Sequence, residues 1–179
     1  MIRQLIRQRI RQLMIVALAT VTLGSSVNAK ASEIPHAWVG GLFGLSVPNA
    51  DNSSSRGMFG ITGGAKIGDN LGVGGYYLSS QKDETFGKFN YDLFGVQVSY
   101  HFDGDATGAW FGGRIGTTKV DSGALNFSPM NIGAVAGYDY LLAQHISLGG
   151  EVSWMSISES SPLKSFSTLN FLAALKFWF

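Results

Sequence analysis

The chain has 179 residues, no cysteine, and 13 lysines and arginines against 12 acidic residues. One domain is the natural size. The composition excludes disulfides, thiol nucleophiles and cysteine-ligated metals, and a near-balanced charge offers nucleic acid no basic patch.

The chain opens on an export signal. Arg3, Arg7, Arg9 and Arg11 form a basic region, and residues 13–23 are an uncharged apolar run. That run is about half the ~20 residues a membrane-spanning helix needs. Val27 and Ala29 place small residues for cleavage after Ala29, and Ala29 and Ala31 do the same for cleavage after Ala31. A mitochondrial presequence is the rival, because the Ile-Arg-Gln repeats are amphipathic and the first acidic residue is Glu33; the strand pattern of the remaining chain decides against it. The four arginines leave with the signal, so a chain beginning at Lys30 keeps nine basic and 12 acidic residues, a net charge of −3.

From residue 36 onward the dominant pattern is period-two alternation, the signature of strands with two unlike faces. Eight segments carry it: 36–47, 57–68, 71–80, 91–102, 109–119, 130–141, 146–157 and 166–179. In the first, third and fifth, glycines blur the pattern but the parity holds. The second sets Phe59, Ile61, Ala65 and Ile67 against Gly60, Thr62, Gly64 and Lys66. The fourth sets Phe94, Val96, Val98, Tyr100 and Phe102 against Gly95, Gln97, Ser99 and His101. The sixth sets Ile132, Ala134, Ala136, Tyr138 and Tyr140 against Gly133, Val135, Gly137 and Asp139. The seventh sets Leu148, Val152 and Trp154 against Ser147, Gly149, Glu151 and Ser153. The eighth sets Leu169, Phe171, Leu175, Phe177 and Phe179 against Thr168, Asn170, Lys176 and Trp178. Each is about the ~9–11 residues a tilted strand needs to cross a bilayer.

Connections alternate in length. Short ones fall at 69–70, 103–108 and 142–144, and longer polar ones at 48–56, 81–90, 120–129 and 158–165. Transmembrane barrels show this rhythm, with short periplasmic turns and longer external loops. Pro35, Pro48, Pro129 and Pro162 fall outside the strands or at their margins, as expected where proline cannot donate to a ladder. Residues 37–44, Ala-Trp-Val-Gly-Gly-Leu-Phe-Gly, recur at 109–116 as Ala-Trp-Phe-Gly-Gly-Arg-Ile-Gly. The echo reads either as an old duplication of half a barrel or as a pattern favoured wherever a strand enters the bilayer from the periplasm.

A soluble lipocalin-like barrel would bury its apolar parity. Here that parity is rich in large aromatics, while the other carries glycine, serine, threonine and a few charges. A small barrel has little internal room, so the expectation is an inverted arrangement with aromatics toward lipid. Tyr77, Tyr100, Tyr138, Tyr140 and Trp154 then fall near strand ends, where interfacial girdles sit. The expected fold is all-β: an eight-stranded antiparallel up-and-down transmembrane β-barrel over 36–179, behind a cleavable signal in 1–29.

On these residues the chain resembles the OmpA/OmpX-type small outer-membrane β-barrels of Gram-negative bacteria. The resemblance rests on the eight strands, on Trp38 to Gly41, and above all on Phe179 with apolar residues at every second position before it. It implies that Phe179 is the signal read by the barrel-assembly machinery. No peptidoglycan-binding domain is expected after the last strand, and loops shorter than those of the adhesive members argue against an adhesin.

Parity turns Lys66, Arg114, Asp139, Glu151 and Lys176 inward, as an interior charge network. Arg114 and Asp139 lie on neighbouring strands, as do Glu151 and Lys176, and charges in so small an interior need partners. A satisfied core that plugs the lumen is the bland reading and a narrow gated ion path the functional one. Trp38, Trp110 and Trp178 also count inward near the periplasmic mouth, where they either close it or sit at the interface beyond the membrane. His145, Ser147 and Glu151 bring to mind the lipid-A deacylases of this architecture. However, His145 adjoins a periplasmic turn and Ser147 points inward, whereas those enzymes work at the outer leaflet. No lipid-facing polar cluster is evident in the outer half, which weakens the enzyme reading further. His101 counts inward as a polar core residue, and His36 has no evident partner. No metal spacing, phosphate loop or nucleotide fingerprint is present, so no cofactor is expected. External loops, notably 81–90, are the remaining surface for a partner or for lipopolysaccharide.

Overall fold

The computed structural model describes residues 37–49, 54–80, 90–103, 107–121, 126–160 and 164–179. The export signal with Ala29 and Ala31, His36, Pro35, Pro162 and the tips of the longer loops lie outside the described residues. The elements are β1 (Ala37–Asn49), β2 (Arg56–Ile67), β3 (Leu71–Ser80), β4 (Asn90–His101), β5 (Gly108–Asp121), β6 (Asn126–Phe127), β7 (Met130–Ala143), β8 (Ile146–Ile157) and β9 (Phe166–Trp178).

Alternation in the sequence becomes alternation in burial. Along β9, Asn170, Leu172, Ala174, Lys176 and Trp178 are buried while Leu169, Phe171, Leu175 and Phe177 are exposed. Eight long strands pair antiparallel in a circuit, which β4 with β5 and β1 with β9 complete. The two-residue β6 pairs only with the end of β5 and extends that hairpin. The result is a closed eight-stranded antiparallel barrel with no free sheet edge around its circumference.

Stagger sets the tilt. A path of paired residues leaves β1 at Asn49, runs through Ser167, Ser156, Ile132, Ile115, Val96, Gly75 and Gly63, and returns to β1 at Val39, ten positions lower. A barrel of this stagger has strands inclined by about 40°. Outward on β4, the apolar run from Phe94 to Phe102 then spans a height of about 20 Å at ~3.3 Å per residue, close to the ~25 Å apolar band of outer-membrane barrels.

Strand ends differ from expectation by a residue or two. One such difference puts Pro48 within β1, opposite Thr168. The β1–β2 ladder stops at Ser46–Arg56, so Pro48 has only one strand neighbour there and its missing N–H interrupts no second ladder. β7 runs on to Ala143 through an irregularity between Leu141 and Ala143, leaving only Gln144 and His145 in the turn. Gly68 adopts φ 71° in the turn after β2, a left-handed conformation that glycine takes without a Cβ clash.

Candidate functional site

The tilt sorts inward side chains into layers. At the rim that holds the short turns and both ends of the described barrel, Trp38, Trp110 and Trp178 are 5%, 3% and 2% exposed and converge on His101. Their ring centres lie 6.3, 6.1 and 6.4 Å from the imidazole. The indole N–H of Trp178 donates to Ser147 Oγ at 2.9 Å. The three tryptophans therefore close the mouth from inside and do not sit at the interface beyond it. Glycines make the room: a Cβ at Gly137 would enter the Trp110 ring, and one at Gly64 would meet the tip of Trp38.

Lys66, Asp139 and Lys176 stand at the level of these tryptophans, and Arg114 and Glu151 above them. Arg114 Nη2 meets Glu151 Oε1 at 2.8 Å, and Lys176 Nζ meets Asp139 Oδ2 at 2.6 Å. Neither pair joins the neighbouring strands expected from sequence. Arg114 on β5 reaches across β7 to β8, and Lys176 on β9 reaches across β8 to β7. The strand between supplies the space, because the register partners Gly133, Gly137 and Gly149 carry no side chain. At Gly149 a Cβ would fall on the Asp139 carboxylate itself. Arg114 Nε also donates to Gln97 Oε1 at 2.8 Å, and its guanidinium stacks 4.9 Å from the Tyr76 ring centre. Lys66 lies over Trp178 at 5.9 Å and Lys176 over Trp110 at 4.6 Å, cation–π contacts that compensate part of their burial.

Above the charges the interior changes character. Met58, Leu78, Leu93 and Met155, on β2, β3, β4 and β8, form an apolar cluster with no more than 2% exposure. The expected polar interior is thus polar only in part. At the same height β1 and β9 contribute polar groups: the Tyr91 hydroxyl bonds Ser46, Ser46 donates to Asn170 Oδ1, and Asn170 donates to Ser153 Oγ at 3.1 Å. Across the lumen Tyr76 hydroxyl donates to Asn131 Oδ1 at 2.6 Å, and Asn131 donates to Thr118 at 3.0 Å.

The hydrolase constellation does not assemble. His145 Nδ1 lies 3.0 Å from the Trp178 carbonyl, Ser147 is engaged by Trp178, and Glu151 by Arg114. Among the described residues no group of three or more His, Asp or Glu is placed to hold a metal ion.

One expectation is overturned on the outer wall. A lipid-facing polar cluster does exist in the half nearer the loops. Ser79 Oγ donates to Asp92 Oδ1 at 2.7 Å, and Asp92 on β4 faces Lys119 on β5 in register. Counting parity along 109–121 would have exposed it, since Lys119 and Thr117 share the face of Ile115.

The chain matches the outer membrane protein beta-barrel domain over residues 16–177. It belongs to that family. Among solved structures, this outer-membrane barrel is similar to the Neisserial surface protein A NspA, with a TM-score of 0.68 at 17% identity, over 84% of this chain and 100% of that one. It is similar also to Ail, the attachment invasion locus protein of Yersinia pestis, with a TM-score of 0.53 at 13% identity over 80% and 99%. The N-terminal barrel domain of Pseudomonas aeruginosa OprF gives 0.50 at 13% identity over 80% and 99%. No curated protein matches the chain. At such identities the likeness to solved structures is one of fold. The family places this outer-membrane barrel in the Gram-negative outer membrane, with the short-turn rim toward the periplasm and the loop rim outward.

Proposed function

We propose that this outer-membrane barrel is a closed, non-enzymatic wall protein, with a structural role or a surface-interaction role exercised through its outer rim. The observation that carries the reading is the filling of the lumen by a tryptophan cap, two ion pairs and an apolar cluster. Met58, Leu78, Leu93 and Met155 add apolar bulk to the lumen, and apolar constrictions oppose hydrated ions by dewetting.

A narrow gated pore is the second reading. It draws support from the charge in the lumen, the Arg114–Glu151 and Lys176–Asp139 pairs, and from Arg114 Nη1, which is buried without a hydrogen-bond partner among the described residues. Conductance of the refolded barrel in a planar lipid bilayer separates the two. Folded protein that stays silent supports the closed wall; discrete reproducible openings replace it with the pore.

A further inference from the structure

The strands turn only three charged side chains toward lipid among the described residues: Asp92 on β4, and Lys119 and Asp121 on β5. All lie at the outer end of adjacent strands, Asp92 and Lys119 one step and Asp121 two steps beyond the apolar band that begins at Phe94. Charged groups are tolerated on the lipid face only near the interface, so this level is that of the headgroups.

Asp92 and Lys119 stand directly opposite each other, yet they do not pair. The carboxylate accepts from Ser79 on the far side, at 2.7 Å. The ammonium leans across β4 below Asp92, 5.6 Å from the ring centre of Phe94 and so toward the hydrocarbon. The ion pairs among the described residues are both in the lumen. An anion and a cation held side by side but unpaired complement a headgroup of the opposite polarity. Directly opposite side chains on neighbouring strands start about 5 Å apart, a span that suits a phosphate and an amine separated by two carbons.

We propose that Ser79, Asp92 and Lys119 form a binding site for a lipid-borne phosphoethanolamine headgroup in the outer leaflet. Lys119 donates to the phosphate as a point charge, and the primary ammonium donates to Asp92, which Ser79 holds in place. A quaternary ammonium cannot donate, and a glycerol headgroup carries no cation, so both are discriminated against.

The test uses the refolded chain in nanodiscs in which phosphatidylcholine is partly replaced by phosphatidylethanolamine or by phosphatidylglycerol. The readout is the thermal midpoint of the folded, heat-modifiable band. The wild-type midpoint is expected to rise with phosphatidylethanolamine alone. That rise should vanish in Lys119→Gln and in Asp92→Asn, and persist in Lys119→Arg and in Lys164→Gln, a control outside the cluster. All should melt alike in pure phosphatidylcholine, because the altered side chains face away from the lumen. A rise that survives Lys119→Gln or Asp92→Asn overturns the proposal, as does an equal rise with phosphatidylglycerol or no rise in the wild type. Soluble O-phosphoethanolamine that reproduces the rise in phosphatidylcholine discs overturns it too, since the ligand would then not be a lipid.

Discussion

Arg114 on β5 and Glu151 on β8 meet at 2.8 Å across an intervening strand whose facing positions are glycines. Both side chains are withdrawn from solvent, so each charge depends on the other. Arg114→Met should lower unfolding stability by about 3–5 kcal/mol, because it strands a buried carboxylate. Glu151→Gln retains an acceptor and should cost less, about 1–3 kcal/mol. The double variant Arg114→Met/Glu151→Met should recover most of the loss. Urea unfolding in lipid bilayers reads all three, and strictly additive losses would mean the pair is not coupled.

Gly95 and Gly116 face each other in register, and a Cβ on either would land on the other's backbone. Gly116→Ala should therefore cost at least the ~1–3 kcal/mol of an overpacked core and depress folding yield. Gly41 is the contrast, with nothing within 4 Å of its missing Cβ. Gly41→Ala should fold like wild type. Comparable yields for the two variants would refute the close approach of β4 and β5.

The four tryptophans report the inside-out arrangement. Trp154 is 50% exposed on the lipid face, whereas the other three are buried in the lumen. In single-tryptophan variants with phenylalanine elsewhere, brominated acyl chains should quench Trp154 strongly and Trp38, Trp110 and Trp178 weakly. Uniform quenching would place the cap residues outside the barrel.

Leu78 and Leu93 are opposite each other in the apolar cluster and fully buried. Leu78→Ala should destabilise by about 2–5 kcal/mol, as large-to-small changes in packed cores do. A loss well below this range, measured by the same urea unfolding, would indicate a loosely packed or hydrated cluster.

Much of this architecture is readable without coordinates. Strand number, the alternation of short and long connections, and the face that each side chain takes all follow from counting by two. Partner choice does not. Arg114 and Asp139 sit on adjacent strands, yet each pairs elsewhere, because reach depends on the shear of the barrel and on which intervening residues are glycine. The apolar cluster is hidden for a related reason: Met58, Leu78, Leu93 and Met155 come from four segments and share a height only once the ten-position stagger is known. Pro48 inside β1 depends likewise on where the neighbouring ladder stops. The Asp92–Lys119 pair is legible by parity, but Asp92 precedes the apolar run that marks the fourth strand, where a charged residue blends into the polar loop before it.

The seam between β1 and β9 joins residues from opposite ends of the barrel sequence, Trp38 beside Trp178, and finishes with reciprocal backbone bonds between Ala37 and Phe179, each 2.9 Å. Every other long pairing is a hairpin that can zip from its own turn; this one must close the whole chain into a ring and bears the largest loop entropy. Until it forms, β1 and β9 are two unsatisfied edges that hydrocarbon cannot tolerate. Insertion is therefore all-or-none with respect to this seam, and a chain shortened by its last few residues forfeits not a terminus but the closure on which every strand depends.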